Sequence, residues 1–177
     1  MHSPTDLGEV GDVIVRIDAQ IQLPIDATMV LRLAEHALHS WDVYVSFDPN
    51  AEVGSYAADL LVDLYPREVI SMVAGRLVAG RLGQAAPRVD IGSSPRTLVM
   101  TFADSVTLET PDSGTEPACT GHLRFPTSAS WVRLLTGRLD DDHMPNDVTS
   151  TGTPTLHDLR SLLQFDPMST GDAESSP

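Results

Sequence analysis

Between residues 27 and 47 the sequence supports two incompatible periodicities, and the choice between them decides what the first third of the chain can fold into. Trp41, Val43, Val45 and Phe47 alternate as a strand would, and β-branched and aromatic side chains favour one. Val30, Ala34, Ala37, Trp41 and Val45 instead form a continuous apolar stripe at helical spacing. The helical register explains both faces at once. It gathers Glu35, His39 and Asp42 opposite the stripe, flanked by Leu31 and Leu38. One helix to about residue 47 is therefore expected within a segment spanning 26–48, with Asp26 as N-cap and Asp48-Pro49-Asn50 as the stop. Glu35 and His39, one turn apart, then project a carboxylate and an imidazole from the same face, as a helix does when it supplies two ligands to a borderline metal ion. Without a metal, the same spacing makes a surface ion pair worth about 0.2–0.5 kcal/mol.

The rest of the chain reads as α+β. Residues 1–25 form a polar lead with an extended segment, in which Val13, Val15, Ile17, Ala19, Ile21 and Leu23 alternate with polar positions up to Pro24. Residues 49–165 read as one α/β domain. It opens with a helical stretch from Tyr56 to Leu82, interrupted or restarted at Pro66 and closed at Gly83. Short strands follow at Arg88–Ile91, Thr97–Phe102, Val106–Thr110 and Cys119–Phe125, with Ala103-Asp104-Ser105 as a turn. Thr127 or Ser128 should cap a helix to about Leu139 that buries Trp131, Leu134 and Leu135. An acidic loop from Asp140 to Pro145 leads to a last helix over Thr155–Phe165, and 166–177 reads as a disordered tail.

Composition excludes several classes. A length of 177 residues suits one domain, or one domain with a fragment of another. The formal net charge of −14, with eleven arginines and no lysine, argues against a nucleic-acid partner. The one cysteine, Cys119, excludes an internal disulfide, and its strand-like setting reads as a buried, inert thiol. No apolar run approaches the ~20 residues needed to span a bilayer. The first residues lack the basic start and apolar core of a signal peptide, so a cytoplasmic location is expected.

The run Arg32-Leu33-Ala34-Glu35-His36-Ala37-Leu38-His39-Ser40-Trp41-Asp42-Val43 resembles the last bundle helix of the mycothiol-dependent maleylpyruvate isomerase family of actinobacteria. The likeness continues through Phe47-Asp48-Pro49-Asn50-Ala51. It returns at Leu135-Thr136-Gly137-Arg138-Leu139-Asp140-Asp141-Asp142-His143 and in the closing leucine-rich helix, so that it covers roughly residues 12–165. The resemblance implies a DinB-like four-helix bundle holding a divalent metal, taken as zinc, through His, Glu and His. A small sterol-carrier-like α/β domain with a mainly antiparallel sheet would follow it. Glu35 and His39 match the Glu and the second His. The first His belongs to an upstream helix for which this sequence shows no counterpart, so a truncated bundle with an incomplete metal site is expected.

In such enzymes the metal activates mycothiol, whose thiolate adds to the cis double bond of maleylpyruvate and leaves again after rotation. A C-terminal arginine binds substrate carboxylate; Arg138 is the candidate here, or else a structural arginine after a helix-ending glycine. His143, among three aspartates, is the candidate replacement ligand. His36 is read as badly placed to chelate a metal together with His39, and His122 and His157 read as structural. A motif helix without its bundle must have its apolar stripe covered either by residues 10–25 folding over it or by another chain, and association is expected, as a homodimer through that helix or with a partner that completes the bundle. Two readings follow: an isomerase-family protein acting on a small-molecule thiol or acid substrate, or a non-catalytic binding or oligomerisation module with a vestigial metal site.

Overall fold

The computed structural model describes residues 13–16, 22–74, 85–92, 96–102, 106–111 and 118–163, leaving aside the side chains of 65–74 and 162. The expectations for 75–84, 103–105 and 164–177 lie outside the described residues. Two compact units divide the chain, Met1–Glu68 and Val69–Pro177. Their boundary falls inside a helix rather than after residue 48.

In the first unit, β1 (Ile14–Arg16) and β2 (Gln22–Pro24) pair antiparallel, with Val15 opposite Leu23. The single extended segment expected over 13–23 is thus a hairpin. Alternation looks the same on both sides of a chain reversal, so period two could not reveal it. The hairpin passes directly into α1 (Ile25–Val45), where the Ile25 N–H donates to the Val13 carbonyl at 2.8 Å. Pro24, not Asp26, is the N-cap residue, and no side chain caps the helix. Asp26 lies in the first turn, its carboxylate accepting the Ala27 N–H at 2.8 Å near the positive end of the helix dipole.

The helical register of residues 25–45 is the one the apolar stripe demands, but the buried line is Ala27, Val30, Ala34, Leu38 and Trp41. Leu38 belongs to the core face instead of flanking Glu35 and His39, while Ala37 and Val45 are only half-buried. A leucine buries more apolar surface than an alanine one position away, and that difference sets the rotation. The Trp41 indole N–H donates to the Ala51 carbonyl at 2.8 Å, tying the turn after the helix back onto it. Asp48 accepts the Asn50 N–H at 2.9 Å in the expected stop. The stripe is therefore buried within the chain, with β1 and β2 packed against α1, which is the first of the two ways of covering it set out above. The exposed large apolar groups are instead Met29, Val43, Tyr44 and Phe47 on or just after α1. Helix α2 (Ser55–Ala74) buries Ala58, Leu61 and Val62 and runs through Pro66 without the expected break. Proline lacks the N–H that would bond back, yet its fixed φ is itself helical.

The second unit holds a five-stranded sheet in the order β5-β4-β3-β6-β7, formed by β3 (Pro87–Ile91), β4 (Arg96–Phe102), β5 (Val106–Glu109), β6 (Gly121–Phe125) and β7 (Thr149–Gly152). Only the β3–β6 pair is parallel, so the sheet is mainly antiparallel and the unit is α+β, as expected. Its strand alternation separates two faces. Val89, Ile91, Met100, Phe102, Val106, Leu123 and Phe125 are buried on one. Arg88, Asp90, Thr97, His122, Arg124 and Thr151 occupy the other by register. Strand β7, Thr-Ser-Thr-Gly, carries no apolar alternation and was not expected. Because β6 begins at Gly121, Cys119 precedes it and is exposed, against the expectation of a buried thiol.

Helix α3 (Ser128–Leu135) is buried along its whole length and packs on β6, where Phe125 and Trp131 meet edge to face at 5.2 Å between ring centroids. Thr127 caps it in a reciprocal box with Ser130. The helix ends at Leu135 rather than Leu139, because Gly137 turns the backbone left-handed at φ 71°. The buried Arg133 guanidinium then gathers the chain beyond, donating to the Arg138 carbonyl at 3.3 Å and to the His143 carbonyl at 2.5 Å. Helix α4 (Leu156–Leu163) starts at Thr155, whose N–H and hydroxyl both donate to the Asp158 carboxylate. No helix among the described residues is long and apolar enough to cross a membrane.

Thr127→Ala removes an N-cap whose loss costs about 1 kcal/mol in comparable helices. Urea denaturation should show that loss, with Thr127→Ser retaining most of the stability. An unchanged Thr127→Ala midpoint would contradict the capping role.

Candidate functional site

The two residues singled out by spacing lie where the helix must put them. Glu35 and His39 are exposed one turn apart on α1. Each has a partner on its own helix: Arg32 donates to the Glu35 carboxylate at 2.7 Å, and the His39 Nδ1 lies 3.2 Å from the Asp42 carboxylate. Among the described residues no group of three His, Cys, Asp or Glu side chains stands close enough to hold one metal ion. His36 and His157 are exposed. His143 is held by Asp140, which accepts both its backbone N–H and its Nδ1 at 2.8 Å. Arg138 follows the left-handed Gly137, with Nη1 directed at the Thr136 carbonyl at 3.4 Å and its own carbonyl engaged by Arg133.

The sheet brings together a second group that spacing along the chain does not show. Arg88 and Asp90 point to the same face of β3 because they are two residues apart. Parallel pairing sets His122 beside Arg88 and Arg124 beside Asp90, while β4 sets Thr97 opposite Asp90. The Asp90 carboxylate receives the Thr97 hydroxyl at 2.7 Å, His122 Nε2 at 2.7 Å and Arg88 Nε at 3.1 Å. Partial burial pushes the Asp90 carboxyl up. The hydrogen bonds from Thr97, His122 and Arg88, with the charge of Arg88, outweigh it and hold the group below the ordinary carboxylate value. An ionised carboxylate can only accept, so the proton between the pair sits on Nε2 of His122, leaving Nδ1 free of that bond.

A cleft of about 570 Å³ opens over this group. Arg88, Asp90 and His122 line it together with Cys119, Thr120, Gly121, Thr151 and Gly152. The ends of β6 and β7 approach too closely for side chains at the two glycines. A Cβ on Gly121 would lie 2.8 Å from the Thr151 carbonyl oxygen, and Gly152, at φ 74°, would drive one into the Thr120 carbonyl. Thr120 fastens the rim, accepting the Ala86 N–H at 2.9 Å and donating its hydroxyl to the Thr153 carbonyl at 2.5 Å.

Sequence reasoning took His122 for structural and Cys119 for buried, and so missed this site. The available signals were the Arg-x-Asp spacing on one strand and the Gly-His step on another. Nothing local says that these strands are neighbours.

No protein-family model matches this chain, and neither does any curated protein. Among solved structures it is similar to the stereoselective inverting sec-alkylsulfatase Pisa1 from Pseudomonas sp., with 14% identity and a TM-score of 0.43 over 57% of this chain and 16% of that one. It is also similar to a UbiJ-SCP2 ubiquinone synthesis protein, with 12% identity and a TM-score of 0.42 over 58% of this chain and 93% of that one. The chain therefore corresponds to a small part of the sulfatase's length. Likenesses at this level say nothing about what this chain binds or does.

The lowered Asp90 carboxyl has a consequence for acid stability. Its contribution is fully present above the unfolded carboxylate value of about 3.8 and is lost as pH falls through the lower folded value. Thermal melts between roughly pH 6 and pH 2 should lose less stability in Asp90→Asn than in the parent chain. Parallel curves would contradict the assignment.

Proposed function

We propose that this chain is a non-catalytic binding module descended from the mycothiol-dependent maleylpyruvate isomerase family, in which Glu35 and His39 no longer form a metal site by themselves. The observation that carries this reading is the environment of that pair. Both side chains are exposed, each is engaged by a neighbour on α1, and among the described residues no third donor joins them. The two ion pairs themselves are weak obstacles, because exposed pairs contribute about 0–1 kcal/mol and a metal could displace them. What matters is the missing donor, since catalytic zinc keeps three protein ligands.

A second reading is favoured by the same helix. Glu35 and His39 keep one face in common and stay accessible from solvent. A second copy or another partner that supplied a histidine would complete the set. Zinc held there would lower the pKa of a bound thiol such as mycothiol. Arg138 would then be the group to take a substrate carboxylate.

Metal analysis after zinc loading and dialysis separates the two readings. The binding-module reading expects zinc well below one ion per chain and no difference between the parent and His39→Ala. Stoichiometric zinc that His39→Ala abolishes would overturn it in favour of the isomerase reading.

A further inference from the structure

The cleft between β3, β6 and β7 presents polar groups whose donors the fold does not consume. Asp90 occupies Arg88 Nε, and Thr97 takes one further contact from Arg88 Nη2 at 3.4 Å. A guanidinium carries five N–H donors, so Arg88 retains others at the cleft wall. His122 engages Asp90 through Nε2, and its side chain is about half exposed at 48%. Thr151 lines the cleft too, beside His122 in the β6–β7 register. Arg124 follows on the same face of β6, in register with Asp90.

The charge balance here runs against the chain as a whole. The protein has a formal net charge of −14, so a general attraction for anions is absent. In the cleft lining, by contrast, Arg88 and His122 both bond to Asp90, the one carboxylate among its described lining residues, and Arg124 stands beside Asp90 by register. Asp90 accepts from three side chains and so orients Arg88 and His122 instead of competing with a ligand for them. Donors fixed in this way by a buttressing group lose little freedom when a ligand arrives.

We propose that this cleft binds a small oxyanion, such as the carboxylate or phosphate group of a metabolite, between the remaining N–H groups of Arg88 and the Nδ1 edge of His122. A ring that carries both protons donates Nε2–H to Asp90 and Nδ1–H to the anion. Thr151, beside His122 at the cleft lining, carries a hydroxyl that can add a further donor. The site deepens the binding-module reading by naming what the second unit holds, and it rests on that reading.

The test is a titration of the full chain, labelled with nitrogen-15, with inorganic phosphate and separately with acetate. Saturable amide shifts confined to residues 88–90, 119–122 and 151–152 are expected at millimolar concentrations. Saturation by phosphate alone identifies a phosphate site, and saturation by acetate alone or by both identifies a carboxylate site. Arg88→Gln should weaken binding about tenfold, the factor for one lost charge-assisted hydrogen bond. His122→Gln should weaken it as well, and Thr151→Val, which leaves the Asp90 cluster intact, gives a second measure if either variant unfolds. Linear, unsaturated shifts with both anions, or affinity unchanged in all the folded variants, would overturn the proposal. Zinc content on the same sample keeps the two claims apart. Stoichiometric zinc would remove the binding-module reading, whereas a flat titration without zinc would remove only this site.

Discussion

The parallel pairing of β3 with β6 is the contact on which the second unit depends. It joins two strands far apart in sequence and places Val89 beside Leu123, both completely buried, at the centre of the apolar face. Burying side chains of this size contributes about 1.5–3 kcal/mol each. A one-residue slip of either strand would turn its own apolar side chains into solvent and bring their charged neighbours inward. Core packing therefore holds the register, and the same register sets His122 beside Arg88 and within reach of Asp90. The polar cluster is specified by the apolar one, on the opposite face of the same strands.

That dependence explains which parts of the structure were legible in the sequence. Periodicity revealed α1, because its stripe and its polar face agree on one register. Local chemistry revealed the Thr127 cap and the Asp48 stop, because both act within three residues of themselves. The apolar strands β3 to β6 were recognisable, and with them the α+β class. Strand β7 was not, because threonine, serine and glycine carry no apolar signal and the strand exists through its pairing with β6. Cys119 was misjudged for a related reason: the strand starts only at Gly121, where the close approach of Thr151 sets its edge.

The same distinction applies to α1. Spacing correctly put Glu35 and His39 on one exposed face, which is all that spacing can establish. A third ligand is a long-range property, like the strand pairing that built the cleft, and a helix motif does not contain it. The hairpin before α1 was hidden for the converse reason, since its alternation is continuous through a reversal that only pairing exposes. The apolar stripe of α1 is buried within the chain, while Met29, Val43 and Tyr44 on the same helix stay exposed.

The hydrogen bond between His122 and Asp90 links the core register to the cleft, and its proton can be observed directly. Long-range proton–nitrogen NMR of the His122 ring should find Nε2 protonated, held by an ionised Asp90 at 2.7 Å. In Asp90→Asn that preference should weaken. A ring protonated mainly on Nδ1, or one indifferent to Asp90→Asn, would contradict the account.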